Sequence, residues 1–372
     1  MLTHLRVENF LSLKRIDVEL GLVNVLTGRN ASGKSNFIRL LRFLSAFVKE
    51  DSSINAARQL GYSDLLSIVY GKDRTKSISV TLRAKASDKD YLYSLILDPG
   101  TGNVEKERLE VDDEVLTNRE DPSKVNYLTI DGVMSEGLYI SRARSALHFL
   151  KGEIDVDKRI SEFRSLIEKW AFYNFNLVAI RSSSPIEMAE RLAYDGSNLP
   201  QVLHTLLTTR RRDFNRIEEL LKIAMPEVEE LLTPPLHNRV RIAIREMGFG
   251  EPLDPEHISD GTFRIIAFIT ALTLPSTPIS FEEPENCVHP SLLQALIELI
   301  RLCGKQVIIS THSPHLLNYV KPEEVYLMAK VQGETRIKRL SSIDNIDRIK
   351  RYLELGGTLG DAWVSGLFKS EY

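Results

Sequence analysis

Apolar and polar residues alternate at the beginning of the chain, and this two-residue period predicts half-buried strands over residues 2–10 and 16–20. A short apolar run at residues 22–26 predicts a fully buried strand that ends in a turn. Residues 34–48 are apolar on nearly every side, which is typical of a helix inside a protein. Further strands are predicted at residues 76–84, 91–97 and 105–111.

The pattern changes in the middle of the chain and changes back near its end. Residues 153–175 have the period of an amphipathic helix, and further helices are predicted at residues 199–207 and 213–224. From residue 257 onwards strands and helices alternate, which predicts an α/β sheet, and residues 325–340 predict a hairpin.

These changes divide the chain into three predicted parts. We expect an N-terminal lobe with antiparallel strands at residues 1–150 and a mostly helical insert at residues 151–250. A C-terminal lobe at residues 251–372 is expected to fold together with the first lobe as one unit.

A glycine-rich stretch at residues 28–35 follows the predicted buried strand and fits the pattern G-x-x-x-x-G-K-[ST] without a mismatch. Glycines let successive backbone N–H groups point at phosphate oxygens. Lys34 adds a positive charge, and the Ser35 hydroxyl can bind Mg²⁺. The plainer alternative is a glycine-rich surface turn. Because the stretch lies between a predicted buried strand and a long helix, the phosphate loop is favoured.

Carboxylates and a histidine follow two further predicted strands. Residues 278–281 predict a strand that runs into Glu282 and Glu283, and residues 306–310 predict the strand before His312. In parallel sheets such strand ends lie beside the phosphate loop. One carboxylate can then hold Mg²⁺ while its neighbour deprotonates an attacking water, and the histidine can contact the γ-phosphate. A charged surface loop is the alternative, and the preceding phosphate loop weighs against it.

A second helix start, at Ser259 and Gly261, precedes an apolar helix. Ser259 is a good N-cap, and the first N–H groups of the helix are free to bind an anion. The sequence leaves two interpretations open, a simple cap and a second phosphate-binding helix end.

Composition narrows the class of protein and its location. The chain has 372 residues, of which 43% are hydrophobic, and its net charge of −3 gives no overall argument for binding nucleic acid. The two cysteines, Cys287 and Cys303, do not make a disulfide framework. No signal-like segment begins the sequence, and no apolar stretch is long enough to span a bilayer. We therefore expect a cytoplasmic protein with no membrane partner.

Taken in order, these motifs resemble those of the ABC-class ATPases of the SMC, RecF and OLD (overcoming lysogenization defect) type. Residues 28–36 resemble their Walker A motif, and residues 259–264 their signature motif. Residues 281–290 resemble their Walker B motif and D-loop, and residues 310–314 their switch histidine. The resemblance also covers segments 5–20, 195–199 and 357–367, and so nearly the whole chain. The coiled-coil arms of SMC proteins and the TOPRIM nuclease of OLD proteins are expected to be absent.

The resemblance implies a fold, two cofactors and a set of residue roles. The fold would be an ABC-ATPase head with a mixed or parallel phosphate-loop sheet, an N-terminal antiparallel β-subdomain and a helical insert. ATP would be held by one copy's loop and by the signature of a second copy, in an ATP-dependent homodimer. The residues implied to hold ATP are Gly28, Asn30, Ala31, Ser32, Gly33, Lys34, Ser35 and Asn36, with Ser259 and Gly261 from the second copy.

In the same resemblance, Ser35 and Glu282 would bind Mg²⁺, Glu283 would be the general base and His312 would sense the γ-phosphate. Many relatives have aspartate at the position of Glu282, so the division of roles between Glu282 and Glu283 stays open. Gln59 is the candidate for the glutamine loop of the family.

The function expected from these features is an ATP-gated dimeric switch in DNA repair or antiphage defence, acting on DNA or on a partner effector protein. Candidate DNA contacts are Arg142, Arg144, Arg210, Arg211, Arg212 and Arg216, although a solvated helix face or loop is the favoured interpretation of each. Two alternatives are a transporter-type ATPase subunit and a P-loop kinase. The helical insert and Asp260 in the signature argue against the first, and the second does not explain His312.

Overall fold

The computed structural model describes residues 1–69, 76–152, 155–286 and 288–368. Its first part contains most of the strands predicted from the two-residue period. Leu13 pairs with Phe10, so the second strand begins three residues earlier than predicted. The elements of this part are β1 (Leu2–Phe10), β2 (Leu13–Glu19), β3 (Val23–Thr27), α1 (Lys34–Lys49), α2 (Ser53–Gln59), β4 (Ile78–Ala86), β5 (Lys89–Leu97), β6 (Val104–Val111), β7 (Glu114–Arg119), β8 (Lys124–Tyr127), β9 (Leu138–Tyr139) and α3 (Ala146–Phe149).

Eight of the described strands form an antiparallel sheet in the order β2-β1-β4-β5-β6-β7-β8-β9. Apolar residues alternate with polar ones along β4 and β5, and the apolar set is buried. This buried face packs with α1, whose Phe37, Phe43 and Phe47 are fully buried. The nearly all-apolar surface of α1 follows from this position, because the helix is covered on several sides.

The middle of the chain is less helical than predicted. The helix predicted at residues 153–175 is wrong beyond Glu168, because Ala171–Tyr173 form a strand that pairs with a later one; residues 153 and 154 lie outside the described residues. Two aromatic residues in this strand favour pairing over helix. The elements here are α4 (Lys158–Glu168), β10 (Ala171–Tyr173), α5 (Leu177–Arg181), β11 (Ser184–Pro185), α6 (Leu199–Thr209), α7 (Arg211–Ala224), β12 (Val228–Leu232), β13 (Pro235–Leu236), β14 (Arg239–Val240) and β15 (Ala243–Glu246).

The last part alternates strand and helix as predicted, and it ends with the predicted hairpin and two short helices. Gly304, in the left-handed conformation, ends the long helix of this part. The elements are α8 (Asp260–Thr273), β16 (Ile279–Glu282), α9 (Leu292–Cys303), β17 (Val307–Thr311), α10 (Pro314–Leu317), β18 (Val325–Val331), β19 (Glu334–Arg339), α11 (Ile346–Glu354) and α12 (Leu359–Val364).

The central sheet joins the two ends of the chain in the order β10-β16-β17-β3-β18-β19. Strand β3 lies between β17 and β18 and is parallel to both, and only β19 runs antiparallel. Thr27 is level with Thr311, and Glu282 is level with Ser310. The residues that follow β3, β16 and β17 therefore meet at one edge of the sheet, which is where ligands bind in such folds.

The predicted α/β class, with a mixed sheet and an N-terminal antiparallel sheet, is confirmed. The division into three parts at residues 150 and 250 stays a prediction. Among the described residues, no helix is long and apolar enough to cross a membrane.

Candidate nucleotide site

The glycine-rich loop connects β3 directly to α1. Glycine is required at two of its positions because other parts of the chain approach closely. A Cβ atom on Gly28 would lie 2.1 Å from the backbone oxygen of Met328, and one on Gly33 would lie 2.0 Å from Thr335 Oγ1. Gly33 also has φ 107°, and Ala31 has φ 63° in the left-handed region. The loop is thus held in a curled conformation that exposes backbone N–H groups.

Two hydroxyl side chains that the sequence analysis missed support this loop from behind. Thr335 Oγ1 donates to the backbone oxygen of Ser32 (3.0 Å) and lies 2.7 Å from Ser12 Oγ. The predicted ATP-binding residue Asn36 donates its side-chain amide to the same Ser12 oxygen (2.8 Å). Ser12 and Thr335 are 323 residues apart in the sequence, so no local pattern could have connected them with the loop.

Lys34 is the central charged group of the loop. Only 5% of its surface is exposed, and its ammonium donates to the backbone oxygens of Gly28 (2.9 Å) and Arg29 (3.2 Å). Burial lowers the pKa of Lys34 to about 8, against the opposing effect of the carboxylates of Glu283 and Glu285. At neutral pH the side chain is a buried cation held by backbone carbonyl oxygens, which suits it to an anionic ligand.

The predicted base and the predicted sensor histidine both face Lys34. His312 Nδ1 lies 3.5 Å from Lys34 Nζ, and His312 Nε2 lies 3.5 Å from Glu283 Oε1. Burial, together with the neighbouring ammonium, lowers the pKa of His312, so the ring is neutral at neutral pH. Because an ammonium has no lone pair, Nδ1 is the accepting nitrogen and Nε2–H points to Glu283.

Glu283 itself has an unusual backbone. Its φ is 47°, a conformation uncommon for a residue with a side chain, and its N–H donates to the backbone oxygen of Ser310 (2.9 Å). Asn286 donates to Glu283 Oε2 (2.8 Å). Such local strain is typical of functional sites, where the surrounding structure fixes one side chain.

Glu285 is a residue of this site that the sequence analysis did not single out. One of its oxygens accepts from the hydroxyl of Thr311 and from the N–H of His312 (3.2 Å). Burial raises the pKa of Glu285. It therefore fastens the loop after β16 to the loop that carries the histidine. Glu282 and Glu283 directly follow the predicted strand, whereas nothing in the local sequence pattern indicates a role for Glu285.

Glu282 ends β16 and points to a different set of neighbours. Its Oε1 accepts a hydrogen bond from the Tyr194 hydroxyl (2.8 Å). The guanidinium of Arg42 lies over the Tyr194 ring, 4.0 Å from its centre. Arg42 is on α1, the helix that begins with Lys34 and Ser35. Both predicted metal ligands are therefore at this edge of the sheet, although their surroundings differ from those of Glu283.

Ser259 and Gly261 lie at the start of α8, away from this cluster. Ser259 Oγ accepts from the N–H of Thr262 (3.1 Å), which confirms the cap. Arg181 binds Asp260 (2.5 Å) and donates to the backbone oxygens of Pro255 and Ile258. Within the described part of the chain, no hydrogen bond or ion pair connects Ser259 or Gly261 with the loop, Glu282, Glu283 or His312.

Several other predicted residues are also away from the cluster. Gln59 ends α2 and donates to the side chain of Glu50. Arg210 forms an ion pair with Asp213, and Arg211 stacks on Phe214. Cys287 lies outside the described residues.

A cavity of about 1160 Å³ opens beside the loop. Its polar wall includes Arg29, Asn30, Ser32 and His312. Its apolar wall includes Trp363 and Val364 of α12. Ser32 Oγ is buried and has no hydrogen-bond partner among the described residues.

Comparison with known proteins places this arrangement in a family. Residues 23–318, most of the chain, match the family model described as "AAA domain, putative AbiEii toxin, Type IV TA system". The chain belongs to this AAA family. Its matched range begins at β3 and ends just after α10, and so contains every motif residue discussed above.

Solved structures similar to this AAA-family chain are SMC head domains. One is the SMC head bound to the C-terminal winged-helix domain of ScpA, with 11% identity and a TM-score of 0.58, covering 91% of this chain and 96% of the other. Another is the Pyrococcus furiosus SMC head with an extended coiled coil, bound to the C-terminal domain of ScpA (11%, 0.57, 95% and 98%). The SMC head of Thermotoga maritima is also similar (12%, 0.50, 91% and 98%). At such identities the likeness concerns the fold, and it confirms the predicted fold of an ABC/SMC-type head.

The residues of this AAA-family head fit ATP and Mg²⁺ chemically. The glycine cradle, the buried Lys34 ammonium and the unpartnered Ser32 hydroxyl all suit a polyphosphate. The N-terminus of α1 has no side-chain cap, so its first N–H groups are free for the same anion. Ser35 and Glu282 offer hard oxygen donors, and Mg²⁺ in nucleotide sites takes one or two carboxylates together with phosphate oxygens and water.

Ser35 and Glu282 alone are a small set of ligands for Mg²⁺. No group of three or more His, Cys, Asp or Glu side chains in the described ranges could hold a metal ion by itself. The site therefore fits a metal that arrives with phosphate oxygens.

Proposed function

We propose that this chain binds ATP at the loop between β3 and α1 and hydrolyses it to ADP and phosphate. The observation that carries the proposal is the chain of contacts from Lys34 through His312 to Glu283, with 3.5 Å at each step. It brings together a cation for phosphate, a neutral imidazole and a carboxylate from three separate motifs. A binding site for phosphate alone needs only the first of these.

Each residue has a role that its surroundings support. Lys34 exchanges its carbonyl partners for phosphate oxygens, and the N–H groups of the loop bind the same oxygens. The oxygen of the attacking water bonds to the γ-phosphorus while Glu283 accepts a proton from that water. At the same time the bond between the γ-phosphorus and the bridging oxygen breaks, and that oxygen leaves with ADP. His312 Nε2–H lies beside Glu283 and can orient that water or donate to the γ-phosphate. Mg²⁺, held by Ser35 and Glu282, would neutralise negative charge on the phosphate oxygens.

We further infer that the start of α8 serves ATP in a second copy of the chain. Ser259 is exposed, and its recorded partners are all within its own helix start. A helix N-terminus of this kind can bind phosphate oxygens. Two copies that face each other would each give one such helix start to the other's ATP, and loss of the γ-phosphate would separate them.

We propose a partner protein, rather than DNA, as the client of this switch, and a role in antiphage defence rather than DNA repair. The family description names a toxin of a type IV toxin–antitoxin system, and two of the similar SMC heads are bound to a protein, ScpA. Arg210, a candidate DNA contact, is neutralised by Asp213, and Arg211 is stacked on Phe214. Surface ion pairs and stacking of this kind favour a solvated helix start over a phosphate-binding surface.

The decisive experiment is Glu283→Gln. We expect it to bind ATP as well as wild type does, while turnover falls by roughly 10²–10⁴-fold because the proton acceptor is lost. Light scattering with ATP should show a dimer that persists, and added DNA should leave its mass unchanged. Glu298→Gln, an exposed change on α9, is the matched control and should hydrolyse ATP normally. Wild-type turnover in Glu283→Gln would overturn the assignment of the base.

A further inference from the structure

Tyr194 stands at the junction of the two halves of the proposed metal site. Its hydroxyl donates to Glu282 Oε1 (2.8 Å) at the end of β16. Its ring lies beneath the Arg42 guanidinium of α1, at 4.0 Å. Arg42 comes seven residues after Ser35, which is two helical turns and the same face of α1. One side chain thus touches the strand that carries one candidate ligand and the helix that carries the other.

The backbone around Tyr194 is tied to the central sheet. The Tyr194 carbonyl accepts from the N–H of Asn174 (2.8 Å), and the Asp195 carbonyl accepts from the N–H of Asn176 (3.0 Å). Both donors come directly after β10, which pairs with β16. Gly196 completes the turn with φ 79°, and a Cβ there would lie 2.4 Å from Ile180. The hydroxyl is therefore fixed relative to Glu282.

The chemistry of the contact suits a ligand that must be oriented. The Tyr194 hydroxyl donates to Oε1 of Glu282 and so fixes one of the two carboxylate oxygens. Among the described residues, no group donates to Glu282 Oε2, which leaves that oxygen for a metal. Carboxylates that bind metals are commonly held by such an outer hydrogen bond, and losing it weakens metal binding.

We propose that Tyr194 is a positioning residue that orients the Glu282 carboxylate for Mg²⁺. The proposal rests on the proposed function, because it assigns the divalent cation that accompanies ATP to Ser35 and Glu282. It gives the central insert a task in the nucleotide site, and it separates Glu282 from Glu283 by environment. A tyrosine holds Glu282, whereas Glu283 faces the histidine.

The test is Tyr194→Phe, which keeps the ring under Arg42 and removes only the hydroxyl. Mn²⁺ is titrated by electron paramagnetic resonance in the presence of a non-hydrolysable ATP analogue, and the Mg²⁺ concentration for half-maximal turnover is measured alongside. Both half-saturation values should rise roughly tenfold. Binding of the ATP analogue in excess chelator should stay as in wild type, because the loop and Lys34 are unchanged.

Tyr91→Phe is the matched control. Tyr91, on β5 of the antiparallel sheet, also donates to a glutamate, Glu162 of α4 (2.9 Å). Loss of the Tyr91 hydroxyl should leave both half-saturation values unchanged. Unchanged values in Tyr194→Phe, or a fall in turnover at every Mg²⁺ concentration alike, overturn the inference. If wild type neither binds the analogue nor hydrolyses ATP, it is the proposed function that fails.

Discussion

The edge of the central sheet and the start of α8 are two candidate phosphate sites with very different construction. At the sheet edge, the loop, Glu285 and His312 are interlocked by hydrogen bonds between distant segments. At α8, Ser259 caps its own helix, and Arg181 holds the adjacent backbone and Asp260 and lies over the ring of Phe263. The first site is formed by chain segments that are hydrogen-bonded to one another, and the second is an exposed helix end held by contacts with neighbouring residues.

This difference indicates how well each region can bind an anion within a single chain. Lys34 is buried and already surrounded by acceptors and carboxylates, so it can bind an anion in a single chain. Ser259 offers one hydroxyl and a helix N-terminus, which give only modest attraction for an anion in water. The two regions together make one full site if they belong to different copies of the chain.

The largest effect is expected from breaking the first region at its charge. Lys34→Ala should weaken ATP binding by roughly 30-fold or more, because truncating one partner of a buried charge pair typically costs about 2–5 kcal/mol. Calorimetry with ATP measures it. Arg39→Ala removes an exposed charge from the same helix and should leave the affinity within a few-fold of wild type. Equal affinities for Lys34→Ala and wild type would contradict the role of the loop.

A smaller and more selective effect is expected at the second region. Ser259→Arg, made together with Glu283→Gln, should abolish the ATP-dependent dimer and leave ATP affinity within a few-fold, because the loop is untouched. Light scattering and calorimetry measure the two quantities. Ser259→Ala is the control for the cap alone, whose loss costs about 1 kcal/mol of stability. A dimer that still forms with Ser259→Arg would remove α8 from the interface.

The smallest expected effect is a pH dependence that belongs to the first region only. The pKa of Lys34 is lowered to about 8 by burial, and bound phosphate favours the charged form. ATP binding therefore takes up a proton above that pKa, so affinity should be level below pH 8 and fall by up to about tenfold per pH unit above it. Lys34→Arg keeps its charge, and its affinity, though lower, should stay level from pH 7 to 9.5. A level profile in wild type would refute the assigned titration.

The sequence was sufficient for the parts of this molecule that depend on local chemistry. Gly28 and Lys34 lie in one short motif, and Glu282 and Glu283 lie in another. The order of these motifs along the chain resembles that of a known family. The long helices and buried strands also followed from periodicity.

The residues that support the site could not be predicted in the same way. Ser12 and Thr335 meet only because β19 closes the sheet next to the loop, and Tyr194 reaches Glu282 across 88 residues of sequence. The sequence pattern predicts helix at Ala171–Tyr173 where the structure has a strand, because the pairing with β16 is decided by tertiary structure. Single-sequence patterns carry no signal for contacts of such separation.

The position of β3 between two C-terminal strands has a consequence for synthesis on the ribosome. The antiparallel sheet and α1 contain mostly early residues and can collapse first, but β3 gains its neighbours only when residues 307–331 have emerged. The Gln306 side chain, which exchanges hydrogen bonds with the backbone of Leu2, likewise joins β1 to a segment that is synthesised much later. Contacts of such long range form late, so a nascent chain exposes an unpaired β3 edge until both neighbouring strands have emerged. The edge of the sheet that carries the loop, Glu283 and His312 can therefore assemble only after these strands have been synthesised.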